Sequence, residues 1–411
     1  MRILMLTQLF QPEPNHLKGL AFARELQRRG HSVEVLTGFP NYPGGKFYPG
    51  YRLRLCLREN LEGVPVIRVP MYPSHDQSGF RRILCYSSLA LSAGLHGIFR
   101  IQRPDVVHVY QGPATLAWPA MILRRLRGCP FVLDVQDLWP DSVASSGMLR
   151  APGAMRILRM WCDRTYRAAA RIIVLSEGCR SVLIERGVPA EKIDVVYNWC
   201  DEQALTPPDT GTALSDPFLL SGRFNVVYAG NIGALQALDA FLNAAALLAE
   251  RLPQVQFVLV GDGVDVGHLQ KLAAEKSLAN VRFIPRQPAR AMNDIFRFAE
   301  ALFLHLKDDP LSRAGIPQKT QAYLAAGRPI VAAIRGAAAA IIRRAESGIV
   351  CEPENPGSIA QAIEQLVALP QSARQALGDR GRDFYWHEMC FNVGVGKTER
   401  VLQQAANSSH A

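Results

Sequence analysis

Hydrophobic positions along the chain fall into short apolar runs, separated by longer stretches in which apolar residues recur every three or four positions. That alternation of strand and helix builds parallel sheets. Arg2 to Thr7, Ser32 to Leu36, Asp105 to Val109, Phe131 to Val135, Ile172 to Leu175 and Val195 to Trp199 read as strands of a first sheet. Asn225 to Ala229, Val255 to Val260, Val281 to Ile284, Ala301 to Leu306, Ile330 to Ala333 and Gly348 to Val350 read as a second. Residues 202–222 carry Pro207-Pro208, Gly211 and Gly222 among polar residues and read as a linker. A chain of 411 residues exceeds what one core supports. The expectation is α/β, with one domain over 1–201 and a second over 223–385.

The most informative stretch is Gly315 to Ala333. Pro317 suits a helix start and Gly327 the left-handed position after a last turn, so a short helix is predicted from Gln318 to Ala326, feeding directly into the Ile330 strand. Lys319 and Gln321 sit in its first turn. Unpaired amides, the positive end of the helix dipole and a lysine together suit an anion, most naturally a phosphate. A surface lysine on an ordinary helix has the same spelling. Two strand ends add bare backbone to the picture: Gly230-Asn231-Ile232-Gly233 and Gly261-Asp262-Gly263. With Lys319 they make a place where a diphosphate could lie.

In the first half, the loop after the first strand presents Glu13, Asn15 and Lys18 as polar groups facing the crevice at the strand ends, or simply as solvated turn residues. It contains no Gly-x-Gly-x-x-Gly, so a dinucleotide is not indicated. Gly38 to Tyr51 is a glycine-rich and aromatic loop suited to a binding lip. Asp137 and Asp141 follow the Phe131 strand, where a carboxylate can orient a sugar hydroxyl or accept a proton.

Charge refines this reading. Basic residues number 26 against 15 acidic ones through Cys200, and 20 against 21 thereafter, so the net charge of +10 belongs to the first half. That half is expected to meet an anionic surface or substrate. Phe80 to Arg103 is an apolar helix with Arg81, Arg82, Arg100 and Arg103 at its ends. It reads either as a helix lying in the headgroup layer of an anionic membrane or as a core helix with basic flanks. No apolar run is long enough to span a bilayer, and residues 2–7 read as a strand, not a signal sequence. The eight cysteines are scattered, without Cys-x-x-Cys spacing, and read as buried thiols in a reducing compartment. Nucleic acid is not expected as a partner, because the basic residues are interspersed with apolar helix.

Asp137-Leu138-Trp139-Pro140, Asn198-Trp199-x-Asp201, Gly230-Asn231-Ile232-Gly233, Gly261-Asp262-Gly263, Pro317-x-Lys319 and Tyr323-Leu324-Ala325-Ala326-Gly327-Arg328-Pro329, by their order and spacing, resemble a bacterial glycosyltransferase of the GT-B architecture. The likeness is to the family 4 branch that builds lipopolysaccharide O-antigen, colanic acid and similar exopolysaccharides. It implies two Rossmann-like doubly wound domains facing across a cleft, the first binding acceptor and the second a nucleotide-sugar. It further implies that Gly230, Asn231, Gly233, Gly261, Asp262, Gly263, Lys319 and Gln321 bind the donor. Asp137 would then be catalytic, facing the transferred sugar, with Glu13, Asn15, Lys18 and Asp141 on the acceptor side. Residues 386–411 would form a helix crossing back to the first domain. Neither cofactor nor metal is implied: the nucleotide-sugar is a substrate, and no Asp-x-Asp triplet is present. The implied acceptor is a polyprenyl-diphosphate-linked glycan, reached from the cytoplasm at the inner face of the membrane.

The chain departs from the family pattern at several places. Arg313 and Gln321 stand where many relatives carry a pair of glutamates, the second of which binds the ribose; Gln236 replaces a basic residue; Pro14-Asn15 replaces a glycine pair; and Tyr110 or Gln111 takes the place of a histidine. The nearby His108 is expected to point into packing. Two further readings stay open at this stage, a nucleotide-sugar 2-epimerase of the same architecture and a non-catalytic glycan-assembly protein.

Overall fold

The computed structural model describes residues 1–15, 17–74, 79–145, 151–205, 216, 218 and 220–408, with Phe80 described by its backbone alone. Most of the expected linker therefore lies outside the described residues. The chain divides into two compact units, Met1–Tyr197 with Gly394–Ala411, and Asn198–Val393. The first division, after Tyr197, falls just before the expected 201, whereas the second, after Val393, falls about two helical turns beyond the expected 385.

The first unit is built on eight strands: β1 (Arg2–Thr7), β2 (Ser32–Gly38), β3 (Leu57–Leu61), β4 (Val64–Val69), β5 (Val106–Gln111), β6 (Phe131–Val135), β7 (Arg171–Val174) and β8 (Ile193–Val195). Their order is β3-β4-β2-β1-β5-β6-β7-β8, parallel throughout except for the β3–β4 pair. Nearly every residue of β1, β5 and β6 is buried, as expected of strands covered by helices on both faces. The β3–β4 hairpin was not expected; it turns through Glu62 and Gly63, both at positive φ (48° and 91°). The last strand ends at Val195, and the chain through Tyr197 to Trp199 is buried without being a strand.

The Gly79–Arg100 helix packs one face on the unit and leaves the other exposed. Cys85, Leu89, Ala90 and Ala93 are buried, and Gly94 and Gly97 lie against Trp118 and Leu123 of the Ala117–Arg127 helix. Leu84, Leu91, Leu95 and Phe99 on the other face are exposed, Phe99 by 79%. Among the described residues no helix is long and apolar enough to cross a membrane. Six cysteines are buried, while Cys56 and Cys351 are only partly so.

The second unit carries β9 (Phe224–Asn231), β10 (Val255–Asp262), β11 (Val281–Ile284), β12 (Ala299–His305), β13 (Ile330–Ala333) and β14 (Gly348–Cys351), in the order β11-β10-β9-β12-β13-β14 and all parallel. Phe241 joins the sheet to its helical layer, stacked on Phe303 with ring centres 4.1 Å apart and meeting Phe257 edge-on. Strand order reverses between β9 and β12, and ligands of doubly wound sheets bind in the crevice beyond the strand ends at such a point. In the first unit the corresponding reversal lies between β1 and β5.

Candidate functional site

In the second unit β9 and β10 run on in register past their apolar cores, pairing Gly230 with Gly261 and Asn231 with Asp262. The two backbones lie so close that a Cβ on Gly261 would stand 1.9 Å from the Gly230 carbonyl oxygen, and one on Gly263 would stand 2.1 Å from that of Ile232. Gly230, Gly261 and Gly263 also have φ of 135° to 155°, a region that side chains avoid. Glycine is thus required at these ends by both contact and conformation. Gln236 braces the turn: its Oε1 accepts from Asn231 Nδ2 at 3.1 Å and from the Gly233 amide at 3.2 Å.

The Gln318–Ala326 helix forms over the expected residues, with Pro317 as its N-cap and Gly327 left-handed (φ 67°) at its end. It carries Lys319 beneath Gly230, the ammonium lying 3.3 Å from where a Cβ on that glycine would be. Tyr228 and Tyr323 fix this corner from below. The Tyr228 hydroxyl donates to the Asn231 carbonyl and accepts from Lys319, and the Tyr323 hydroxyl accepts from the Ala229 amide at 2.8 Å. Among the described residues no carboxylate pairs with Lys319. Burial pushes its pKa down to about 7.

These groups open onto a cavity of about 420 Å³ lined by Gly230, Asn231, Gly261, Asp262 and Lys319, with Met292, Phe296, Ala204 and Leu205 on its apolar side. Arg286, just beyond β11, adds a second cation that makes no hydrogen bond or ion pair among the described residues. The sequence reading missed Arg286. Its position two residues past a strand of the same sheet edge was the available signal. Asp262 accepts from the Gly263 amide at 2.7 Å, so it shapes the turn that it precedes. Gly233 borders the same turn.

Gln321 is placed differently from expectation. It is buried, and its amide nitrogen is set to donate to the carbonyls of Gln318 at 2.8 Å and Pro317 at 2.9 Å. A side chain spent on the helix's own start does not line the cavity. Arg313, at the other departure from the family pattern, is an exposed residue held by two bonds to Asp308, of 2.6 and 2.8 Å.

In the first unit the expected acceptor-side residues are also corrected. Glu13 is buried, and its carboxylate accepts from the amides of Asn41 and Tyr42, each at 2.8 Å, and from Phe10 at 3.3 Å. Burial raises its pKa, against the pull of those amides. Asn15 bonds the Leu9 carbonyl and the Lys18 amide. Lys18 is buried, with Nζ 3.7 Å from Asp134 and 3.3 Å from the Thr398 hydroxyl. All three hold the loop together from inside and do not face a crevice. Arg68, fully buried on β4, completes the brace by bonding Glu59 and the carbonyls of Gln11 and Gly38. His108 points into packing as expected, with Nε2 3.1 Å from Asp134.

Asp137 lies where the sequence put it, two residues past β6 and exposed. Desolvation by the surrounding chain nonetheless raises its pKa. Burial raises the pKa of Tyr110, near the end of β5, and the charges of Asp134 and Asp137 add to it. Gln111 beside it is buried with an unpartnered Oε1. Asp141 is tied to Arg186 by an ion pair, and Arg186 also bonds the Trp139 carbonyl at 2.9 Å.

Residues 20–199 match the model of the glycosyl transferase 4-like domain, and residues 223–368 that of the glycosyl transferases group 1. The chain is 27% identical over 319 residues to the probable glycosyltransferase WbjE of Pseudomonas aeruginosa, covering 73% of this chain and 78% of that one. It is 27% identical over 358 residues to the candidate colanic acid biosynthesis glycosyl transferase WcaI of Escherichia coli K12, covering 84% and 86%. Among solved structures, HepE of Anabaena in complex with UDP superposes with a TM-score of 0.70 at 15% identity, over 98% of this chain and 100% of that one. The trehalose 6-phosphate synthase of Burkholderia multivorans does so with 0.72 at 13% identity, over 100% and 97%. At such identities the likeness speaks to the fold alone.

Proposed function

This chain belongs to the GT-B glycosyltransferases of the family 4 type, and we propose that it moves a hexose or amino-hexose from a nucleoside-diphosphate sugar to a polyprenyl-diphosphate-linked glycan, in the synthesis of a cell-surface polysaccharide. The observation that carries the donor half is the meeting, in one cavity, of the bare Gly230 and Gly261 backbones with the Lys319 ammonium. A diphosphate laid against those amides accepts hydrogen bonds that no side chain obstructs, and Lys319 and Arg286 answer its charge. As the glycosidic bond breaks, the same cations stabilise the departing nucleoside diphosphate, so the proposed reaction uses neither metal nor cofactor. Binding of UDP and UDP-glucose by HepE supports this choice of donor class.

Asp137 is proposed to orient the transferred sugar, its raised pKa bringing it nearer to neutral working pH. Asp141 is the acceptor-side residue that stays accessible. A relative in colanic acid biosynthesis supports a polysaccharide product. For the acceptor's lipid, the support is the exposed face of the Gly79–Arg100 helix, where Leu91, Leu95 and Phe99 lie between Arg81 and Arg100. The protein is accordingly proposed to work as a peripheral protein on the cytoplasmic face of the membrane.

The test is a panel of UDP-, GDP- and dTDP-sugars scored by the rise in Tm of the purified chain. A donor at 100 times its Kd stabilises the native state by about 2.7 kcal/mol. One nucleotide class should raise Tm in the native chain and not in Lys319→Ala. A chain that no sugar nucleotide stabilises refutes the reading, and isomerisation of free donor without acceptor would favour the epimerase instead.

A further inference from the structure

At the end of the Gln318–Ala326 helix remote from Lys319 lies a second cavity, of about 440 Å³, which Gly230, Asn231, Gly261 and Lys319 do not line. Three guanidinium side chains line it, Arg297, Arg328 and Arg382, beside the indole of Trp386 and the amides of Asn293 and Gln375. Its cations are poorly neutralised. Arg382 bonds Asp379 at 2.6 Å, and Arg328 bonds the Arg297 carbonyl at 2.6 Å, whereas the Arg297 guanidinium has no partner among the described residues. The lining carboxylate, Glu202, is committed elsewhere, its Oε1 accepting from the Tyr385 hydroxyl and the Phe391 amide, each at 2.7 Å. Burial and the charges of Arg297 and Arg382 hold Arg328 below its ordinary pKa, with Glu300 acting the other way.

Two further observations point to a ligand and not to bare surface charge. The Asn293 Nδ2 is buried with no hydrogen-bond partner, a donor left waiting for an acceptor. Trp386 follows the buried Tyr385 and is 48% exposed, so its ring offers a flat apolar platform at the rim.

We propose that this cavity binds an acidic sugar unit. Forked guanidinium groups take a carboxylate or phosphate by paired hydrogen bonds, the indole takes the apolar face of a pyranose ring, and the two amides take hydroxyls. The choice of a sugar as carrier of the anion rests on the family to which the chain belongs; the anion site does not.

Titration calorimetry on the full chain tests it with glucuronate, glucose 6-phosphate, glucose and inorganic phosphate. Glucuronate or glucose 6-phosphate should bind at least tenfold tighter than glucose and than inorganic phosphate, and the tighter of the two identifies the anion as carboxylate or phosphate. Binding should weaken roughly tenfold in the double variant Arg297→Gln/Arg382→Gln and in Trp386→Ala, with a cooperative thermal transition retained in both. It should persist in Lys319→Ala, which removes the cation of the donor cavity, so a failed donor screen leaves this result readable. Equal binding of glucose and glucuronate, equal binding of phosphate and glucose 6-phosphate, or loss in Lys319→Ala alone would overturn the assignment.

Discussion

The Lys319 ammonium lies 3.8 Å from the centre of the Tyr228 ring and donates to the Tyr228 hydroxyl, so among the described residues this cation is held by an aromatic residue and not by a carboxylate. An acidic partner would have to be displaced when a diphosphate arrives. An aromatic one keeps the ammonium in place and leaves its charge unspent.

A pH dependence follows. With its pKa lowered to about 7, Lys319 is increasingly neutral as pH rises above that value, and a diphosphate must bring a proton with it. Donor affinity should fall by up to about tenfold per pH unit between 7 and 9, and calorimetry in buffers of different ionisation enthalpy should show proton uptake. Lys319→Ala should bind weakly and without that slope. For the unliganded fold the sign is opposite. Charging Lys319 costs the native state below pH 7, and the cost is relieved as pH climbs toward the unfolded value of 10.5.

Gly261→Ala should be severe. Its methyl would enter the Gly230 carbonyl at 1.9 Å, and φ is 151°. Parting β9 and β10 at their tips should cost about 2 to 4 kcal/mol by thermal or urea unfolding and abolish the donor-induced Tm rise.

Lys18 and Asp134 are both buried, 3.7 Å apart, and Asp134 is held below its usual pKa, desolvation opposing but Lys18 and His108 prevailing. Lys18→Met should cost about 3 to 5 kcal/mol, because a carboxylate is left buried with less compensation. Adding Asp134→Asn should recover part of that loss, and a double-mutant cycle measured by urea unfolding gives the coupling.

Tyr385 donates to Glu202 and binds the Cys200 amide and thiol at 3.2 and 3.1 Å, pinning residues 200–202 to the Gln371–Glu388 helix. Tyr385→Phe removes the hydroxyl and keeps the ring. Its expected cost is about 1 to 3 kcal/mol in Tm-derived stability, with donor affinity lowered because Cys200 and Asp201 line the cavity.

For the membrane proposal, replacing Arg81, Arg82, Arg100 and Arg103 with Gln should lower binding to vesicles containing anionic lipid, by about 1 kcal/mol per charge near the surface. Unchanged sedimentation with such vesicles would refute it.

The fold was legible wherever burial on both faces made strands uniformly apolar, as in β1, β6 and β13, and wherever caps marked a helix, as Pro317 and Gly327 do. The β3–β4 hairpin was not, because β3 is an edge strand with charged Arg58 and Glu59 and its turn is spelled Glu-Gly. In the cavity at the β9 and β10 tips, the glycine turns and a lysine at a helix start were legible in the sequence as a place suited to an anion. Glu13, Lys18 and Gln321 misled for a shared reason. Each is a polar residue near a strand or helix end whose partners, the Asn41 amide, Asp134 and the Pro317 carbonyl, are fixed by tertiary folding or by a rotamer. Arg286 escaped because a lone arginine after a strand has no distinctive neighbourhood in sequence.

The Phe391–Asn407 helix seals the first unit from its far end in sequence: Glu399 meets Arg29 at 3.0 Å and His31 at 2.7 Å, and Thr398 meets Lys18. On the ribosome, therefore, the amino-terminal lobe waits. Its sheet can assemble early, but its final closing helix emerges only after the continuous second lobe has been synthesised, so the lobe begun first is the one completed last.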